Sequence, residues 1–123
     1  MDFAAIRRHS RANVGPGIMI QFKAGGRFFM GLNVVSLSGG GCSVKISNTL
    51  AASLRPDQLL SRVLIQHPSI PRLPLLGKIS WIRGKQLELG DDSVLMGIEF
   101  SEADEAFTNA VDAYVLELLK ASQ

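Results

Sequence analysis

Apolar and polar residues alternate in short runs over most of the chain, and the period changes only near its end. From Gly17 to Ala24, Ile18, Ile20 and Phe22 fall on one side and Met19, Gln21 and Lys23 on the other. That is the two-residue period of a half-buried strand. Gly25-Gly26 signals a hairpin turn, and Arg27 to Leu37 reads as the return strand. Gly39-Gly40-Gly41 breaks the pattern before a short strand, Cys42 to Ile46. Asn48 to Pro56 is a connection. Gln58 to His67 is a strand with Leu59, Val63 and Ile65 expected on one face. Pro68, Pro71 and Pro74 mark a loop or sheet edge, because proline cannot donate to a ladder. Further strands are expected at Leu75 to Arg83, at Gln86 to Leu89 before a Gly90-Asp91-Asp92 turn, and at Val94 to Phe100. Short strands at this spacing predict a sandwich or barrel.

The last segment has a helical period. Ala103, Ala106, Phe107, Ala110, Val111, Tyr114, Val115, Leu118 and Leu119 line one face. Ser101 reads as the N-cap, with Asp104 three residues on as in a capping box. Glu102, Asp104 and Glu105 suit the positive end of the helix dipole and Lys120 the negative end. The apolar stripe either packs on the β structure or is shared with a second chain as a homodimer.

A chain of 123 residues with 46% apolar content makes one domain with a real core. No apolar run reaches the roughly 18 residues that span a bilayer. Met1 to Arg11 lacks the order of a signal peptide, and Cys42 is the only cysteine, so a cytoplasmic location is expected. The net charge of +2 hides an asymmetry. Residues 1–90 hold twelve Lys/Arg against Asp2, Asp57 and Glu88, and residues 91–123 hold Lys120 against eight acids. A basic body of this kind attracts phosphate, or is simply a solvated face.

Catalysis has no support. His9 and His67 have no ligand partners at metal spacing, so no metal or cofactor is expected. Cys42 lacks a neighbouring base and reads as a small buried hydrophobe. The triple glycine is not followed by the Gly-Lys-Ser/Thr of a phosphate-binding loop. Binding chemistry is better represented. Arg7, Arg8 and Arg11 place three planar donor forks within five residues, a clamp for phosphate or a guanine edge, or else an ordinary basic end. Ser36 and Ser38 share a strand face and precede Gly39-Gly40-Gly41, where backbone and ligand can approach closely.

Together these elements resemble the PilZ domain family, whose signature is R-x-x-x-R followed by (D/N)-x-S-x-x-G. Arg7-x-x-x-Arg11 matches the first part, and Ser36-x-Ser38-x-x-Gly41 matches the second at its serine and glycine. Gly77-Lys78-Ile79-Ser80-Trp81 looks like the family's G-x-V-x-W strand, and Met96-Gly97-Ile98-Glu99-Phe100 like its G-(I/V)-x-F strand. The resemblance implies a six-stranded antiparallel β-barrel with a C-terminal amphipathic helix. Residues 1–16 would be a flexible segment carrying the arginines, 17–100 the barrel and 101–123 the helix packed on it. It also implies a non-enzymatic receptor for cyclic di-GMP that signals to a protein partner. Arg7 and Arg11 would then contact phosphates and guanine edges, and Arg8 would add a phosphate contact or a cation–π stack. Ser38 would hydrogen-bond the ligand, and Gly41 would keep the turn open to the base.

Ser36 stands where the family has Asp or Asn. A neutral hydroxyl in place of a charged acceptor costs about 1–2 kcal/mol, or roughly five- to thirtyfold in affinity. Asn33 replaces it only if a bulge brings it to the face of Ser36. Trp81 is expected in the barrel core, with the rim near a base as the alternative. Two other functions stay open: a PilZ-like pilus or motility adaptor that binds no nucleotide, and a small nucleic-acid-binding barrel. The second is disfavoured because the strands lack exposed aromatics for stacking bases.

Overall fold

A computed structural model describes residues 11–14, 17–83, 92–101 and 103–121. Among them are seven strands: β1 (Arg11–Asn13), β2 (Met19–Ala24), β3 (Arg27–Ser38), β4 (Gly41–Ser47), β5 (Leu59–Gln66), β6 (Leu75–Arg83) and β7 (Ser93–Ser101). A single helical turn, α1 (Asn48–Ala51), follows β4, and α2 (Glu105–Ala121) ends the fold. The expected strand at Gln86 to Leu89, with Gly90 and Asp91 of the turn after it, lies outside the described residues.

All pairings are antiparallel. The order β3-β2-β5-β6-β7-β4 closes through a β3–β4 ladder into a six-stranded barrel, with β1 added beside β3. The ladder starts earlier than residue 17. Val14 N–H donates to the Val35 carbonyl at 2.9 Å, and Val34 N–H to that of Ile18 at 3.0 Å, so pairing against β3 continues from β1 towards β2. The β2–β3 hairpin turns through Gly25 and Gly26, at φ +57° and +81°. Two successive left-handed residues are what a tight hairpin compatible with strand twist requires.

The core gathers the inward side chains of every barrel strand, including Phe22, Leu37, Ile46, Ile65, Ile79 and Met96. Cys42 is buried among them. Phe22 and Phe29 stack at 5.2 Å. Inward positions do not follow strict alternation, because three strands carry bulges. In β5 the register shifts between Leu60 and Val63, with Arg62 held at φ +50°. The extra residue reverses the faces: Leu60 is buried and Leu59 is 74% exposed, contrary to the expected Leu59–Val63–Ile65 face.

Helix α2 packs on its own barrel. Phe107, Val111 and Val115 are fully buried, each contributing about 1.5–3 kcal/mol. Phe107 meets Phe100 edge-on at 5.6 Å, and Tyr114 meets His67 at 4.6 Å. The buried stripe is narrower than its sequence period, with Ala106 exposed. Its cap is Asp104, not Ser101. The Phe107 N–H donates to Asp104 Oδ1 at 2.8 Å, while Ser101 is the last residue of β7. The strand outcompetes the cap because Ser101 still pairs with Leu76. No helix among the described residues is long and apolar enough to cross a membrane.

Candidate functional site

The outer face of β1, β3, β4, β7 and β6 is organised in rows of side chains running across the strands. One row is Asn13, Ser36, Ser43, Gly97 and Trp81, each residue the register partner of the next. The adjacent row runs from the backbone of Arg11 through Ser38, Gly41, Glu99 and Lys78. Serines and glycines occupy the middle of both rows, so the sheet has a low floor there and taller side chains at its sides. The result is a cleft of about 560 Å³ that includes Asn13, Ser36, Gly41, Ser43, Trp81, Arg83 and Glu99 in its lining. Its size is that of ordinary small-ligand sites, which run about 300–1,000 Å³.

Two bulges shape this cleft. The first separates Val34 from Ser36. It lets Val34 and Leu37 both point into the core while Ser36 and Ser38 keep a common outer face. By the same shift Asn33 comes to the outer side, as the condition set from sequence requires, yet it does not line the cleft. The amide that does is Asn13, directly across from Ser36. The second bulge lies between Ile79 and Trp81. Ile79 is fully buried, Ser80 is exposed, and Trp81 turns outward instead of entering the core. The indole lies over Gly97, where a Cβ would collide with it. Arg83 stacks on the indole with its Cζ 4.8 Å from the ring, a cation–π pair that forms one side of the cleft.

The motif serines are partly committed. Ser36 and Ser43 share a hydroxyl–hydroxyl bond of 2.6 Å, and Ser36 still lines the cleft. The Ser38 hydroxyl donates to the Gly41 carbonyl and accepts from Gly40 N–H, both at 3.3 Å, so it pins the β3–β4 turn from below. Gly41 is buried against β7, where a Cβ would run into the Ile98 carbonyl. Its need for hydrogen is thus set by strand packing. At the other end of that row Glu99 pairs with Lys78 at 3.9 Å, both side chains well exposed. Among the described residues no group of three His, Cys, Asp or Glu is placed to hold a metal.

Of the residues singled out from sequence, Ser36 and Gly41 line the cleft, and Ser38 is buried outside its lining, bonded to Gly40 and Gly41. The backbone of Arg11 sits opposite Ser38. Arg7 and Arg8 lie outside the described residues. Sequence reasoning missed Asn13, Ser43, Arg83, Gly97 and Glu99 as neighbours of the site. The signal for Arg83 was present, since it shares a strand face with Trp81 two residues away. The others become neighbours only through cross-strand register.

The PilZ domain family model matches residues 5–117. Among solved structures, the inhibitor of motility MotI/DgrA of Bacillus subtilis is similar, with a TM-score of 0.79 at 16% identity over 95% of this chain and 53% of that one. MrkH of K. pneumonia in complex with c-di-GMP gives 0.76 at 14%, over 94% and 53%. The PilZ domain of YcgR from Escherichia coli, with c-di-GMP, gives 0.73 at 13%, over 94% and 93%. The chain therefore spans about half the length of the MotI and MrkH chains and nearly all of the YcgR domain. Identities this low carry the fold alone. No curated protein matches the sequence.

Proposed function

The chain belongs to the PilZ domain family, and from that premise we propose that it is a non-enzymatic cytoplasmic receptor for cyclic di-GMP. The observation that carries this reading is the β1–β3 register. It sets the Arg11 backbone opposite Ser38 and Asn13 opposite Ser36, and Asn13 and Ser36 line one cleft, which supports a site shared by the two motifs. Arg7 and Arg11 hold phosphates and guanine O6/N7 edges with bidentate forks, and Arg8 adds a phosphate contact or a stack. The floor of Ser36 and Ser43 leaves room for a flat base, beside the Trp81–Arg83 stack. MrkH and YcgR, which share the fold, are solved with c-di-GMP.

Ligand capture draws the arginine segment onto this face, and the altered surface engages or releases a protein partner in motility, pilus, biofilm or exopolysaccharide control. MotI, an inhibitor of motility, supports the choice of process. The rival is an adaptor that binds no nucleotide. It is favoured by Ser36, whose hydroxyl is already bonded to Ser43.

Trp81 is the only tryptophan and lines the cleft, so its fluorescence reports occupancy directly. Titration of the full chain with cyclic di-GMP is expected to give a saturable change in emission, and cyclic AMP none. A flat response to cyclic di-GMP favours the adaptor.

A further inference from the structure

We propose that Glu99 is the group that reads guanine in this protein, taking over from the acid that is missing at position 36; this rests on the cyclic di-GMP reading above. Glu99 is the only carboxylate among the described residues lining the cleft. An acid there is at first sight misplaced, because it repels the phosphates of an anionic ligand. Its position resolves the conflict. Glu99 is on β7, three strands along its row from Arg11, roughly 14 Å at the usual strand spacing. The arginines take the phosphates and the O6/N7 side of guanine, and the acid is far enough along the sheet to meet the N1/N2 edge of a base instead of a phosphate. Glu99 is also two residues from Gly97, on the same face and beside the seat of Trp81.

The chemistry selects one base. A carboxylate is acceptor-only, and the guanine N1–H and N2 amino group are two adjacent donors that it can accept together. Adenine presents an acceptor at N1 and is repelled. The neutral amide of Asn13, also in the cleft, does not discriminate in this way, because an amide offers both a donor and an acceptor. Lys78 holds the carboxylate only loosely, at 3.9 Å with both groups exposed, so the pair opens readily to a base edge.

Calorimetry on the full chain with cyclic di-GMP and with cyclic di-AMP tests this. Wild type is expected to favour cyclic di-GMP by at least about tenfold, the scale of hydrogen bonds to a charged group. Glu99→Ala is expected to weaken cyclic di-GMP by about that factor and to leave cyclic di-AMP unchanged or tighter, since a negative charge has gone. Lys78→Ala keeps the preference. A Glu99→Ala protein that retains the preference, or that weakens both ligands equally, overturns the assignment while the receptor reading stands. So does a wild type that binds both ligands alike. Wild type that binds neither overturns the receptor reading, and this one with it.

Discussion

Replacing Arg7 and Arg11 together with alanine is expected to weaken cyclic di-GMP binding by more than about a hundredfold. Each arginine fork makes charge-assisted hydrogen bonds worth roughly 1.5–3 kcal/mol apiece, and about 3 kcal/mol already exceeds a hundredfold in affinity. The loss comes without unfolding. β1 pairs with β3 through the main chain, at Arg11–Ser38, Ala12–Leu37 and Asn13–Ser36, and the substitution leaves that ladder in place. The thermal midpoint of the double variant therefore stays near that of wild type while calorimetric affinity collapses. Arg11→Lys does not restore binding, because an ammonium lacks the planar fork. Arg8→Ala has the smaller effect expected of an auxiliary contact.

The second large effect is on stability. Gly41→Ala is expected to destabilise the barrel by about 2–3 kcal/mol, the upper part of the range for overpacking. Most overpacked sites relax by moving a side chain. Here the added Cβ meets the Ile98 carbonyl and the Glu99 backbone, so β4 and β7 themselves must separate. Gly41 lies at the end of the β4–β7 ladder and closes the hairpin with Ser38, so the strain reaches both neighbours. The measurement is thermal or urea unfolding followed by circular dichroism, with a midpoint drop of roughly 10 °C for a domain of this size. A variant as stable as wild type would return Gly41 to the narrower role of clearing space for a base.

The elements were legible in the sequence, and several of their faces were not. The hairpin glycines, the strand periods and the helical stripe announce the barrel and its C-terminal helix. Strict alternation is what a strand period implies, and β3, β5 and β6 all break that rule. One extra residue in β5 exposes Leu59 and buries Leu60, and one in β6 turns Trp81 out of the core onto Gly97. A bulge is set by the closure and twist of the whole barrel, so no local pattern announces it. Local chemistry explains the cap: Ser101 resembles an N-cap in sequence, but β7 claims it for the ladder and leaves Asp104 to start the helix.

The site shows the same division. Arginines, serines and glycine carry a signal in their spacing along the chain. Asn13, Ser43, Gly97 and Glu99 carry none, because they become neighbours only when four strands align in one register. That alignment also changes the meaning of the substitution at Ser36. In sequence it is a missing acceptor. In the fold it is a small residue on a floor of small residues, bonded to Ser43, with an amide on one side and an acid farther along the sheet.

Calorimetric titration of the wild-type chain with cyclic di-GMP decides whether this cleft is a receptor site. Saturable heat is expected, with at least one ligand per chain, and that heat is expected to be lost in the Arg7→Ala/Arg11→Ala variant. No heat from folded wild-type protein at high micromolar concentration would contradict the receptor reading, and equal binding by the double variant would place the ligand somewhere other than this cleft.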